Sequence, residues 1–498
     1  MMILRIKNTV KRHLPSGSLR ARFVFSTFWV MVSTVIQQGL GMVGTVVAAR
    51  LLGKVVYGQL GMIHSTVGMF SIFAGLGLAL TATKHVAEYR DTDKARAGRI
   101  ITLAWMVALI SGSIMTLAVL GGAGYLSAAT LNAPEIKAEL QIGSFMLFFG
   151  ALIGAQRGVL AGLEAFRSVA LTALIQGVFQ LVFVVVGAVY WGLRGAIAGY
   201  AFSNGLGWLA SSLFVRHEMS RAKLKLSVKG LSEDIPVLWK FSLPAFASTV
   251  LVGPVMWAAR AILVNTPDGY AEMGVFSAAT RFQQLIGLVG QTFGTALLPM
   301  LASKDGSKSE LFQRSNILIS WVAGLLPALL LITVPEIMGF IFGAEFTGSQ
   351  ANMALVLVMC FSCINLYKQG LARVLVARSM LWWGLLSNST WAATLLFLAY
   401  LWRSHGAVGL ASAFVAAYAS NTAIFIPLYT MKKLVPKSTI FSWEALIIWF
   451  LLIIQVVLFM ADVTVTVRII SLLVIVPVIF LIFSRILWGK QVAFSCQV

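Results

Sequence analysis

Apolar runs of about 20 residues or more, each closed by a short polar break, repeat along almost the whole chain. A helix needs about 20 such residues to cross the hydrocarbon of a bilayer. Fourteen runs meet that length: 23–49, 57–82, 99–121, 140–163, 168–190, 195–216, 237–264, 272–298, 314–335, 351–374, 380–402, 406–430, 441–461 and 465–486. The pattern predicts an all-α polytopic membrane protein with spans 1 to 14. No polar segment is longer than about 25 residues, which leaves no room for a soluble catalytic domain.

The breaks carry signals of their own. Between spans 1 and 2 the chain reads ARLLGKVVYG, where Gly53 permits a left-handed helix stop and Tyr57 suits the lipid headgroup level. Prolines inside spans fall in the second half: Pro244 and Pro254 in span 7, Pro327 in span 9, Pro427 in span 12 and Pro477 in span 14. Each is expected to kink its helix. The longest polar break, Arg216 to Pro236, reads as a linker between two halves.

An internal repeat supports that division. Tyr57-x-Gln59-Leu60-Gly61 matches Tyr270-x-Glu272-Met273-Gly274, Gln156-Arg157-Gly158 matches Lys368-Gln369-Gly370, and Gly195-Ala196-Ile197 matches Gly406-Ala407-Val408, at offsets of 213, 212 and 211. Six spans separate the copies, so both keep one orientation and should be related by an axis along the membrane normal. The expected organisation is a basic N-terminal segment 1–22, an N-lobe 23–216 with spans 1 to 6, and a linker 217–236. A C-lobe 237–433 with spans 7 to 12 follows, then residues 434–498 with spans 13 and 14 and a tail.

Composition agrees: of 498 residues 59% are hydrophobic and 11% charged, and mean hydropathy is +0.89, values of a membrane protein rather than a soluble globule. The net charge of +21, from 38 basic and 17 acidic residues, would point to nucleic acid in a soluble chain. Topology accounts for it here, and no nucleic-acid partner is expected. With the N-terminus inside, thirty Lys and Arg fall on the cytoplasmic side and six opposite: Arg50, Lys54, Lys137, Arg194, Arg403 and Arg468. That bias places both termini in the cytoplasm. The opening basic segment reads equally as an interfacial helix on anionic lipid or as an orienting tail. Cys360 and Cys363, one turn apart in span 10, read as small packing residues, because no His or further Cys accompanies them.

Charges inside spans are few, and they are the candidate chemistry. Arg281 lies nine residues into span 8, roughly 13 Å deep at 1.5 Å per residue, too deep to reach the interface comfortably. It is expected to face a central cavity. Arg260 lies near the outer end of span 7, where snorkelling competes with cavity lining. Arg157 and Lys368 occupy neighbouring positions in the repeat and are expected to flank an inward-facing mouth, although the positive-inside bias alone would also place them there, and Arg50 completes the set of candidate cavity cations. Gln37, Gln38, Gln176, Gln180, Asn204 and Gln284 offer amides to sugar hydroxyls, although helix packing uses the same groups. No carboxylate falls at mid-membrane, so a cavity with cations and no anions suits an anionic substrate. The chain shows no phosphate-binding glycine loop, zinc spacing or catalytic triad, and neither a cofactor nor a metal is expected.

In order along the chain, ARLLGKVVYG, GAQRGVLAGLEAFR, GLRGAIAGY, FSLPAFAS, MGVFSAATRF and FGAEF together resemble the Wzx-like polysaccharide exporters of the multidrug/oligosaccharidyl-lipid/polysaccharide (MOP) superfamily. The resemblance implies a MATE-like V-shaped bundle of two six-helix lobes with two extra C-terminal helices. It also implies a non-enzymatic flippase in the bacterial inner membrane. The substrate implied is an undecaprenyl-diphosphate-linked oligosaccharide, flipped by alternating access for O-antigen or exopolysaccharide assembly, with a polysaccharide polymerase and chain-length proteins as partners. Where relatives carry an acid near the end of span 7, this chain reads WAARAILV, which weakens cation coupling. Competing readings are a MATE-type small-molecule antiporter and a lipid II flippase. Spans 2 and 8 pressed dry together, with no hollow between the halves, would exclude the passage.

Overall fold

The computed structural model describes residues 19–243, 246, 250–302, 310–377, 380–433 and 443–488. Among them the regular structure is helical. In chain order it comprises α1 Leu19–Gly75, α2 Leu78–Tyr89, α3 Lys94–Tyr125, α4 Lys137–Gly162, α5 Phe166–Arg221, α6 Val252–Val264, α7 Gly269–Ala302 and α8 Glu310–Thr333. It continues with α9 Ile337–Phe342, α10 Ser349–Ala377, α11 Leu381–Leu401, α12 Gly406–Met431, α13 Trp443–Met460 and α14 Val465–Trp488. Ten helical stretches of the described residues are long and apolar enough to cross a membrane. Leu109, Ile114 and Leu117 on α3 and Leu473, Val474 and Leu481 on α14 are exposed. Such apolar stripes are costly in water and matched in lipid.

Spans 3, 4 and 8 to 14 agree with helices to within about five residues at each end. The others depart from expectation. With 57 and 56 residues, α1 and α5 are each roughly 85 Å long at 1.5 Å per residue, against a hydrocarbon core of about 30 Å. Each is broken once, at Gly53 (φ 73°, ψ 169°) and at Gly192 (φ 57°, ψ −136°). Spans 1 and 2, and spans 5 and 6, are thus joined at a glycine with no loop between them. Gly406 has the same backbone as Gly192, φ 57° and ψ −136°. Leu76 (φ 42°) and Gly77 (φ 70°) interrupt span 2 and separate α1 from α2. Within span 7 the described residues form a π turn at Leu238–Ser242 and then α6 from Val252. Pro254 lies in the first turn of α6 and opens that helix instead of kinking it. Pro327, Pro427 and Pro477 sit inside α8, α12 and α14, while Pro244, Cys496 and residues 1–18 lie outside the described residues.

By their contacts the residues form two compact units, neither continuous in sequence. One holds Met1–Leu51 and Thr66–Val250, the other Leu52–Ser65 and Leu251–Val498.

In the first unit α3, α4 and α5 pack together around Val86, Ile100, Ile101, Leu160 and Val215, all fully buried. The linker is clamped onto this unit. Asp234, 1% exposed, accepts from Arg96 Nε at 2.9 Å and Arg99 Nε at 2.7 Å, and Ser242 Oγ bonds Thr81 Oγ at 2.6 Å. Asp234→Asn keeps the shape and removes the charge, and breaking a buried ion pair in this way costs about 3 kcal/mol. The expected result is a lower melting temperature in detergent and faster proteolysis within 222–236; unchanged melting would refute the clamp.

In the second unit α10 packs against α7, α8 and α12. Trp321 on α8 lies 4.9 Å from the Tyr367 ring and 4.8 Å from that of Trp449, which ties α13 to the unit. Gln455 Nε2 donates to Ser471 Oγ at 2.8 Å, and Arg468 Nη2 to Glu336 Oε1 at 2.8 Å, and these bonds tie in α14. Cys360 and Cys363 are buried free thiols on α10.

Residues 52–65 of α1 also belong to the second unit. Glu345 Oε2 accepts the Lys54 N–H at 2.7 Å just past the Gly53 break, a carboxylate at a helix start. Tyr57 is 2% exposed and meets Phe342 and Phe346 at 6.1 and 5.8 Å. It is a core residue, not the headgroup anchor its sequence position predicts. Gly58 permits a close approach: a Cβ there would lie 1.8 Å from the Tyr270 carbonyl oxygen, and one on Gly274 2.1 Å from that of Lys54. The segments 54–61 and 270–277, parts of spans 2 and 8, are therefore in direct backbone contact inside the second unit. From Thr66 onward α1 belongs to the first unit.

Candidate functional site

The second unit brings two of the predicted cations together. Arg260 on α6 and Arg281 on α7 lie within Coulombic reach of each other, and the charge of Arg281 also reaches His64 on α1. Arg260 Nη1 donates to Ser65 Oγ at 3.0 Å, and Arg281 Nη1 donates to Gln284 Oε1 at 3.0 Å. Among the described residues no carboxylate pairs with Arg260, and its buried Nε has no hydrogen-bond partner. Desolvated guanidinium donors left over after internal bonding are what an incoming oxyanion satisfies. Three carboxylates of this unit are engaged elsewhere, at helix ends. Glu272 accepts the Ala407 N–H at 2.7 Å, and Glu345 and Glu336 are held by Lys54 and Arg468.

Arg157 and Lys368 are each turned onto amides of their own unit. In the first unit Arg157 Nη2 donates to Gln176 Oε1 at 2.7 Å, Gln176 Nε2 to Asn204 Oδ1 at 3.0 Å, and Asn204 Nδ2 to the Tyr200 carbonyl at 2.9 Å. The Arg157 Nε is buried without a partner. In the second unit Lys368 Nζ donates to Asn421 Oδ1, which also accepts from Ser387 Oγ at 2.9 Å. The ammonium stands 5.4 Å from the Tyr418 ring, a cation–π distance. Each cluster sets one cation among neutral acceptors, with no carboxylate in it.

The remaining candidates are not drawn into either arrangement. Arg50 is exposed at the end of the first half of α1, and Gln37 and Gln38 are half-buried. Gln180 lies beside Gly41, whose Cβ would be 3.9 Å from its Nε2. Sequence reasoning missed His64, Ser65, Ser387, Tyr418 and Asn421. His64 was findable, since a histidine inside an apolar helix is a functional hint. The serines and the asparagine gave no such signal, because their role depends on a partner on another helix.

The family model described as polysaccharide biosynthesis protein matches residues 23–305, more than half of the chain. The chain belongs to that family. A Lipid III flippase of Escherichia coli K12 is 23% identical over 412 residues, covering 79% of this chain and 94% of the relative. Among solved structures, the Lipid II flippase MurJ in an inward closed conformation superposes with a TM-score of 0.68 at 15% identity, covering 93% of this chain and 99% of the other. An inward-facing multidrug resistance MATE transporter of the MOP superfamily gives 0.64 at 13% identity, covering 81% and 99%. The chain thus shares its fold with those solved structures, and it is a multi-pass membrane protein.

Proposed function

We propose that the chain is a flippase that carries an undecaprenyl-diphosphate-linked oligosaccharide outward across the bacterial inner membrane for O-antigen or exopolysaccharide assembly. The observation that carries this reading is Arg260, a buried cation with no carboxylate partner among the described residues and an unpartnered Nε, with the like charge of Arg281 within Coulombic reach. A diphosphate offers the acceptors this guanidinium lacks. A sugar head cannot cross hydrocarbon unaided, whereas a polyprenyl tail remains in lipid. The protein need only supply a wet cationic passage, and it carries out no covalent chemistry.

The topology fits. If the two glycine-broken helices cross twice, eight others once, and α6 and α7 once each, the chain makes fourteen crossings with both termini inside. Arg157 with Gln176 and Asn204, and Lys368 with Ser387 and Asn421, recur on corresponding spans of the two proposed lobes, 23–216 and 237–433, as a parallel repeat would have it. Alternating access is then a rocking of the two proposed lobes about the substrate path. A polymerase and chain-length proteins would take up the product. A second reading, flipping of lipid II, uses the same diphosphate recognition and is favoured by the MurJ superposition.

In-frame deletion is expected to remove surface polysaccharide and raise the lipid-linked precursor severalfold, measured by lipid extraction and glycan release. The composition of that glycan separates the two readings. Unchanged precursor, or gradient-driven drug efflux that persists without any lipid-linked sugar, would favour a small-molecule antiporter instead.

A further inference from the structure

A cavity of about 1010 Å³ opens at one end of the first unit, lined from α1, from the α2–α3 and α4–α5 connections, and from the last turns of α5. Ligand pockets run to about 300–1,000 Å³, so it is large enough for a headgroup and the first part of its chains. Its charges are not mutually satisfied. Arg90 is consumed by Asp91 at 3.2 Å, Glu164 at 2.6 Å and the Gly162 carbonyl at 2.9 Å. Glu218 is taken by Ser168 at 2.9 Å and Arg221 at 3.4 Å. Lys94, Arg167 and Lys223 remain, exposed and without an ion pair among the described residues. α5 begins in the cavity wall with Ala165 at its cap and no side-chain capping bond, so its first N–H groups add positive potential there. The lining is also apolar in part, with Trp29, Phe166, Leu171 and Phe214.

We propose that this cavity is a binding site for an anionic phospholipid, with the phosphate among Lys94, Arg167, Lys223 and the start of α5, and the upper acyl chains along Trp29 and Phe214. A basic pocket between membrane helices, on the side to which the Lys and Arg bias assigns the cytoplasm, is suited to an anionic headgroup. The apolar part of the lining selects a lipid over a free anion. The chain's own N-terminal segment, with Arg5, Lys7, Lys11 and Arg12, has the wrong sign to fill it. The site shares no residue with the Arg260–Arg281 pair, and its test needs no transport.

The test titrates the purified full-length protein in mild detergent with phosphatidylglycerol or phosphatidylcholine, read by native mass spectrometry. Phosphatidylglycerol is expected to bind at least tenfold more tightly. The double variant Arg167→Gln/Lys223→Gln should weaken it about 25-fold, at about fivefold per charge. Lys225→Gln/Lys229→Gln, which removes two exposed charges of the nearby linker outside the cavity lining, should change it less than twofold. Equal binding of the two lipids, or equal losses in the two double variants, would overturn the proposal. Displacement by millimolar inorganic phosphate would make this a phosphate site, and displacement by a lipid-linked glycan would make it part of the transport path; either result refutes the phospholipid assignment. Of these outcomes only displacement by the lipid-linked glycan bears on the flippase reading, and it would support it.

Discussion

Gly58→Ala should unfold or severely destabilise the protein, although it adds a single methyl group. That carbon would sit 1.8 Å from the Tyr270 carbonyl oxygen and 2.9 Å from the Gly274 nitrogen, and backbone cannot step aside as a side chain can. Overpacking in a well-packed core costs about 1–3 kcal/mol, and a clash of backbone with backbone belongs at or above the top of that range. Gly68→Ala is the control, because nothing lies within 4 Å of a Cβ placed there. The two variants, compared by thermal melting in detergent, should separate widely. If Gly58→Ala melts with Gly68→Ala, the helix contact described above does not exist in the membrane.

Arg260→Met should have the opposite signature, with transport lost and the fold intact. Removing one partner of a buried charge contact costs about 2 kcal/mol or more in binding, and 2 kcal/mol corresponds to roughly a thirtyfold loss of flipping rate at limiting substrate. Yet no carboxylate among the described residues depends on this guanidinium. A buried charge in a membrane helix is costly to keep, so its removal should leave melting unchanged or raise it. Arg260→Lys should fall between, keeping the charge while the shorter reach loses Ser65. Flipping in reconstituted vesicles, read beside melting, decides the matter: a variant that melts early makes Arg260 structural, and one that flips normally removes it from the site.

The spans were legible in the sequence because a helix facing lipid must be apolar along about 20 residues, and that signal is local. Gly53 was legible for the same kind of reason, since the backbone conformation it takes is open mainly to glycine. The break at Leu76–Gly77 was not, because the surrounding residues are as apolar as those of an unbroken helix. Tyr57 was misread for want of long-range information: Phe342 and Phe346, which bury it, are almost 290 residues away. The same limit explains the site. Arg260 and Arg281 stood out as charges in apolar runs, while Ser65 and Asn421 look like ordinary packing residues until their partners are in place.

The fourteen residues from Leu52 to Ser65 impose an order on biogenesis. They leave the ribosome some two hundred residues ahead of the helix that holds Ser65. At about 5–20 residues per second the segment waits roughly ten to forty seconds for its neighbours. A ribosome that stalls or a transcript that ends near the linker therefore releases a fragment whose stretch from Leu52 to Ser65 still lacks its packing partners, and such a fragment is a natural substrate for membrane quality control.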